Sequence, residues 1–441
     1  SERERPIRTS TTSMAELAQR GTRVWIPDLE GSAHVMAAAF RAFGVNAAVL
    51  PRSPDPGLNL ARKAISEDVC LPSLVTAEDM LWRTVQKDFD PAREAFFQGS
   101  SAGPCRYGMY SMLQRRILDH KGLHETEMVS LGLASLHGGL GPAPVVLTFQ
   151  GVLAYDMIQK MLHRTRPYEI EEGACQALHD KYLAEIVELM APQGERLKTR
   201  GGMLMAYLGL GIEEYVDLIK RAQAEFAAVP RRDEDRPLVG VVGEFYVRLH
   251  PDSNQHVIRR LERAGAEVWL APLTEFFMYS IYLTGWLAED AMRDSSFWPN
   301  ARGAVFCRFL SGLAAKLEHA MFQATLPYLE GYDDVPPKEV VELGSDYVNR
   351  RFGGEAICSM GKAEDFARRG VDGIVAVAPF NCMPGMTVTA TSQTLRERHD
   401  GIPFLCLEYD GFEDATRDTK IRTFVRQMAD ARAARRTSEA S

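Results

Sequence analysis

Two stretches far apart in the chain, residues 23–50 and 237–270, carry the same order of signals: a short apolar run, a segment with helical spacing, a second short apolar run. In the first, Arg23-Val-Trp-Ile-Pro27 reads as a strand, residues 32–43 as a helix and Ala47-Ala-Val-Leu50 as the next strand. In the second, Pro237-Leu-Val-Gly-Val-Val-Gly-Glu-Phe-Tyr246 holds a buried strand ending in a polar turn, followed by a helix over 254–264 and a strand at Val268-Trp-Leu270. A strand–helix–strand connection of this kind sets the two strands parallel, with the helix across one face of their sheet. Two such units signal two doubly wound domains. A chain of 441 residues has room for them, since roughly 150 residues per domain suggests two or three.

The rest of the chain is ordered around these units. Residues 1–20 are polar and rich in Ser, Thr and Arg and read as a loose, disordered arm. The first α/β domain is expected over 21–149, with further strands at Glu94-Ala-Phe-Phe97 and Glu127-Met-Val-Ser-Leu131 and helices near 61–65, 74–82 and 107–118. Residues 150–235 read as an almost wholly helical insertion or lobe, interrupted at Arg164-Thr-Arg-Pro167 and at Gly201-Gly202. The second α/β domain is expected over 236–430, with strands at 375–379 and 403–407, helices over 355–369, 386–397 and 418–430, and a disordered tail over 431–441.

Hydrophobic content of 46%, charged content of 25% and 9% aromatics are those of a globular protein. The net charge of -8 argues against a broad nucleic-acid surface, because phosphate recognition needs a basic face. No apolar run approaches the roughly 18 residues of a membrane span, and Ser1-Glu-Arg-Glu-Arg-Pro6 lacks the apolar core of a secretion signal, so a cytoplasmic protein with no membrane partner is expected.

Seven cysteines without dense spacing, and without any CxxC pair, point to reduced thiols or metal ligation rather than a disulfide framework. Three of them sit at punctuated turns: Cys70 in Ser66-Glu-Asp-Val-Cys-Leu-Pro72, Cys105 in Gly103-Pro-Cys-Arg-Tyr-Gly108, and Cys382 in Val375-Ala-Val-Ala-Pro-Phe-Asn-Cys-Met-Pro-Gly385. Each introduces a helix, where backbone N–H groups and the helix dipole favour a thiolate or an anionic cluster. Cys307 and Cys406 lie in apolar, strand-like runs and read as packing residues, with Cys406 kept as a lesser candidate for a fourth ligand. None of the ten histidines has metal-ligand spacing; His124, His137 and His163 read as surface or interface residues. The basic run over 160–166 reads first as a solvated helix face and second as a grip for a CoA-like phosphate or a partner, and Gly138-Gly-Leu-Gly141, a weak phosphate signal without the full GxGxxG, as a chain-reversing turn.

Eight pieces in order complete a pattern. They are the Cys70 and Cys105 turns, Gly138-Gly-Leu-Gly-Pro142, Lys160-Met-Leu-His-Arg-Thr-Arg-Pro-Tyr168, Gly243-Glu-Phe-Tyr-Val-Arg248, Gly354-Glu-Ala-Ile-Cys-Ser-Met-Gly-Lys362, Pro379-Phe-Asn-Cys-Met-Pro-Gly385 and Glu408-Tyr-Asp-Gly411. Together they resemble the 2-hydroxyacyl-CoA dehydratase-like module of the CoA-enzyme activase-related family, over residues 23–427. The resemblance implies an α/β iron-sulfur protein whose [4Fe-4S] cluster is held by cysteines at the C-terminal ends of parallel strands, between two Rossmann-like domains. Cys70, Cys105 and Cys382 match the family's ligand motifs; Cys175, Cys307, Cys358 and Cys406 match none. It further implies an iron-sulfur lyase or reductase component, fed low-potential electrons by an ATP-dependent activator protein that carries its own iron-sulfur cluster. The substrate would be a small molecule, with CoA-linked ones as one class; its identity does not carry over from the true dehydratases. Longer relatives begin with the activator; nothing here resembles its phosphate loops, and GxxxxGK[ST] is absent, so ATP would act on a separate chain.

Three thiolates leave one iron of such a cluster without a cysteine, open to water, substrate or another protein group. Arg106 stands beside Cys105 to offset cluster charge or hold an anionic substrate group. Glu244 and Tyr246, just past the first strand of the second unit, and Glu408, with Asp410 behind it, occupy strand ends where α/β folds place functional groups. They are the candidate catalytic residues, against the plainer readings of a capping and packing pair and an acidic solvated turn. Two other classes stay open: an electron carrier or cluster scaffold without its own substrate, and a small-molecule binding module whose cysteines bind nothing. A homodimer is the default assembly.

Overall fold

The computed structural model describes residues 12–65, 69–101, 105–132, 138–292 and 297–439. The chain divides into two compact units, one formed by Ser1–Gly151, Val187–Met203 and Asp410–Phe412, the other by Val152–Ile186, Leu204–Tyr409 and Glu413–Ser441.

The first unit opens with α1 (Met14–Arg20), β1 (Arg23–Ile26), α2 (Gly31–Ala42) and β2 (Asn46–Val49). It continues through α3 (Asn59–Ala64), α4 (Leu71–Thr84), β3 (Glu94–Gly99), α5 (Tyr110–His120) and β4 (Glu127–Leu131). Its four strands are parallel in the order β2-β1-β3-β4, with Val24 in register with both Ala47 and Ala95. Period-two alternation sends Val24, Ile26, Ala95, Phe97 and Val129 to one face, where they close over Ala33, Ala37 and Phe40 of α2. The Phe40 and Phe97 rings meet at 6.2 Å. Burying each of these aromatics contributes on the order of 2 kcal/mol.

Four helices follow: α6 (Ala143–Thr165), α7 (Ala174–Leu197), α8 (Arg200–Tyr207) and α9 (Glu213–Ala228). Their residues are divided between the two units.

The second unit repeats the first unit's strand plan. Its elements are β5 (Leu238–Gly243), α10 (Phe245–Leu249), α11 (Val257–Arg263), β6 (Glu267–Leu270), α12 (Leu273–Ala291), α13 (Phe297–Gln323), α14 (Pro337–Gly344), α15 (Glu355–Arg368), β7 (Gly373–Pro379), α16 (Met383–Arg398), β8 (Phe404–Tyr409) and α17 (Arg417–Glu439). The strands are again parallel, in the order β6-β5-β7-β8. Val239, Val241, Val242, Ile374, Val375 and Val377 are all fully buried, the continuous apolar pattern of strands covered on both faces. In each sheet the chain reverses its direction of winding between the first and third strands, which makes a crevice at their C-terminal ends.

Several local expectations are corrected. Residues 14–20 are helical rather than part of a loose arm, because Ser13 and Glu16 form a capping box and Met14 and Leu17 are buried. Gly201 and Gly202 do not interrupt a helix but lie inside α8, whose first turn is closed by the Gly202 N–H donating to Thr199 Oγ1 at 3.0 Å. α11 begins at Val257, not 254, since Gln255 and His256 have positive φ and the Asn254 side chain accepts from the Val257 N–H. α17 runs on to Glu439, past 430, held by ion pairs such as Arg436 to Asp235 at 2.6 Å. Cys307 is on a helix, α13, not a strand. Residues 1–11, 440 and 441 lie outside the described residues, as do Ser66, Gly103, Pro104 and His137.

Candidate functional site

In the second unit, the C-terminal ends of β5, β7 and β8 converge with the N-termini of α10, α15 and α16. These helices start beside the strand ends because a helix between two parallel strands runs antiparallel to them. A small cavity there, 10 Å³ and large enough for about one water molecule, is lined by Glu244, Glu355, Ser359, Gly385, Cys406 and Glu408, among others. Two expected residues, Glu244 and Glu408, therefore face one cavity.

Glu244 is the N-cap of α10, its carboxylate accepting from the Tyr246 N–H at 3.2 Å and the Val247 N–H at 2.8 Å. Glu355, the first residue of α15, accepts from the Phe245 N–H at 3.3 Å. Its Oε2 is buried with no hydrogen-bond partner among the described residues. Burial pushes the Glu244 carboxyl up to about 7, against the opposing pull of the Val247 and Tyr246 N–H groups and the Arg248 guanidinium. Burial and then repulsion from Glu244 push Glu355 up as well. Arg248 does not pair directly with either: its Nη1 donates to the Gly243 carbonyl at 3.2 Å and its Nη2 to the Pro272 carbonyl at 3.4 Å. The site thus holds two carboxyls that cannot both ionise cheaply, the condition in which such a pair keeps a proton near neutral pH.

Tyr246 is buried and does not line this cavity; its ring stacks on His250 at 5.1 Å, which fits the packing reading. Asp410 accepts from the Phe412 N–H at 2.9 Å, an ordinary Asx turn.

Cys382 is the buried N-cap of α16, with extended backbone and Pro384 two residues on. A Cβ added at Gly385 would lie 3.7 Å from Cys382 Sγ and 2.6 Å from the Ala378 Cβ, so the glycine leaves room beside the thiol on the turn that borders the cavity. Cys70 has the same setting in the first unit: N-cap of α4, extended backbone, Pro72 two residues on, buried. Cys105 is half-buried and caps the 3-10 turn Arg106–Met109 ahead of α5, with the Tyr107 N–H donating to its Sγ at 3.5 Å. Arg106 is exposed on that turn. Cys105 and Cys382 hold equivalent places: each follows the third strand of its sheet and opens the segment leading to the fourth. All seven cysteines are outside disulfides. Among the described residues, no group of three or more His, Cys, Asp or Glu side chains is arranged to hold a metal ion.

Cys406 lies in β8 and lines the Glu244 cavity rather than packing only against apolar neighbours; burial raises its thiol, against the opposing pull of the Thr389 and Ser392 hydroxyls. Cys175 and Cys358 are buried thiols. Burial and Glu169 push Cys175 up to about 12, and Cys358 donates to Glu275 at 3.4 Å.

Sequence reasoning missed a buried charge network behind this cavity. Lys362, fully buried on α15, donates to Asp334 at 2.8 Å and Asp365 at 3.0 Å and lies 4.0 Å from Glu275. Asp334 also bonds Lys160. The run over 160–166 is therefore no solvated face: Lys160 is buried, Arg166 pairs with Glu262 at 2.8 Å, and Arg164 pairs with Glu267 at 2.7 Å. His163 is buried too, and burial followed by Arg166 holds its imidazole well below the usual histidine range. The local signal for the network was Lys362 three residues before Asp365, a spacing that sets the two side chains on one helix face.

A scan against protein-family models matched none, and a search of curated proteins found no match. No helix among the described residues is long and apolar enough to cross a membrane.

Proposed function

We propose that Cys70, Cys105 and Cys382 hold one [4Fe-4S] cluster, and that the chain is a dehydratase-like or reductase-like component receiving low-potential electrons from a separate ATP-dependent activator. The reaction would be radical dehydration or reduction of a small substrate, CoA-linked substrates being one class of it. The observation that carries this reading is the shared setting of the thiols: Cys105 and Cys382 follow the third strand of each sheet, and Cys70 and Cys382 cap helices in identical Cys-x-Pro turns. The thiols suit the group chemically, since helix N-termini present unpaired N–H groups that stabilise thiolate charge.

When bound, the cluster supplies a single low-potential electron. The chain's own residues supply the rest. Loss of a hydroxyl group as water needs a proton, and the Glu244–Glu355 pair retains one at neutral pH beside the Cys382 turn. Glu408 and Ser359 border the same cavity and orient whatever water or oxygen enters it.

One observation favours the second reading, an electron carrier or scaffold. A cavity of 10 Å³ admits water but not a substrate, so catalysis requires it to open.

The test is iron and acid-labile sulfide on protein purified without oxygen, with the EPR spectrum after dithionite, for wild type, Cys105→Ser and Cys382→Ser. About four iron and four sulfide per chain, lost in both variants, is expected. A wild-type chain without iron after anaerobic reconstitution sinks the reading.

A further inference from the structure

We infer that the second unit carries an anion site for an oligophosphate group in the groove between α11 and α17. The groove encloses 490 Å³, within the roughly 300–1,000 Å³ of small-ligand pockets. Arg259, Arg260 and Arg263 line it from α11 and Arg422 from α17, with His256, 3.5 Å from Asp252, also in the lining; Asp418 is the one acidic residue among the lining side chains, and Glu413 lies 3.9 Å from Arg260.

The charges do not cancel. Arg260 is fixed as a wall, its Nε donating to the Gln255 carbonyl at 2.7 Å and its Nη1 to Asp418 at 2.5 Å. Arg259 has Glu262 only at 3.7 Å. Arg422 bonds the Asp418 carbonyl at 3.3 Å, which leaves its charge in place, and Arg263 makes no ion pair among the described residues. Burial, then Arg166, pull Arg259 down from the usual guanidinium range against the opposing pull of Glu262 and Glu169. A chain of net charge -8 that concentrates arginines in one concave place creates a local field opposite to its own.

Planar guanidinium forks match phosphate oxygens in pairs, and several around one groove suit more than one phosphate. The groove offers no aromatic ring on which a base would stack. Recognition is therefore of the phosphates, carried by free pyrophosphate or by a nucleotide tail.

The experiment is calorimetric titration of the full chain, at low ionic strength, with pyrophosphate, ADP and adenosine, for wild type and Arg263→Gln/Arg422→Gln. Both residues are exposed, so an unchanged melting temperature will show that the variant folds. The proposal expects pyrophosphate and ADP to bind at one site, adenosine not to bind, and the variant to lose about tenfold in affinity for each anion or more. Tighter binding of ADP than of pyrophosphate assigns the nucleotide as the source; equal binding assigns the free anion. No binding of either anion up to about 1 mM overturns the proposal, as does wild-type affinity in the variant.

Discussion

Glu244 and Glu355 cap the same short helix from two directions: Glu244 takes the N–H groups of Tyr246 and Val247, and Glu355 takes that of Phe245. Three orphan donors of α10 are thereby satisfied by two carboxyls that repel each other when both are charged. The folded state favours protonation of the pair, so between about pH 4.5 and about pH 7 it binds more protons than the unfolded chain. Stability must fall as pH rises through that window, and the fall ends only once Glu355, raised well above its ordinary value, has ionised as well.

Glu355→Gln tests this directly. The amide still accepts from the Phe245 N–H but carries no charge, so Glu244 ionises more easily. The variant is expected to gain on the order of 2 kcal/mol over wild type at pH 8 and little at pH 4.5, read from urea unfolding at both pH values. Equal gains at the two pH values would remove the electrostatic account.

Lys362→Met removes the cation that Asp334 and Asp365 share, while Lys160 stays with Asp334 alone. Asp365 likewise keeps Arg369 at 2.7 Å, so each carboxylate loses one of two partners and the cost is expected at about 2 kcal/mol, below the roughly 3–5 kcal/mol of a buried pair broken outright. A shift in the urea midpoint worth less than about 1 kcal/mol would mean that the network is hydrated in solution.

The parallel sheets were legible because their strands are short valine- and alanine-rich runs ended by Gly, Pro or acidic residues, as at Val242-Gly-Glu244 and Ala378-Pro-Phe380. Glu244 and Glu408 were legible as acidic residues at strand ends, and both border the cavity. Glu355 was not. It opens a helix far along the chain, and only the order β6-β5-β7-β8, which seats α15 beside β5, brings it to Glu244. The spacing predicts α16 only from 386, whereas proline in a first turn loses no hydrogen bond and the helix begins at Met383.

Thiol reactivity separates the cysteines without any metal. Cys105 is half-buried with a backbone N–H turned to its sulfur, whereas Cys175 and Cys358 are buried and held as thiols. With iodoacetamide at pH 8 and peptide mass analysis of the iron-free native chain, Cys105 is expected to be modified at least about tenfold faster than Cys175 or Cys358. Comparable rates for all three would show that local burial does not govern access.

Gly243→Ala probes the strand end that places Glu244. Gly243 has φ +118°, and a Cβ there would lie 2.0 Å from the Val377 carbonyl oxygen and 2.6 Å from the Val377 nitrogen. Those are backbone atoms of the neighbouring strand, so no side-chain rotation relieves the contact. The same carbonyl accepts from the Glu244 N–H at 2.9 Å, the bond that sets the turn into α10. Alanine must therefore push β5 from β7 or break that bond, at a cost of about 3 kcal/mol or more. Thermal unfolding measures the loss, and amide exchange locates it: exchange at Glu244 should quicken before exchange at Val239 or Val241. A variant that melts like wild type would show that the β5–β7 seam yields where the register of the two strands says it is tight.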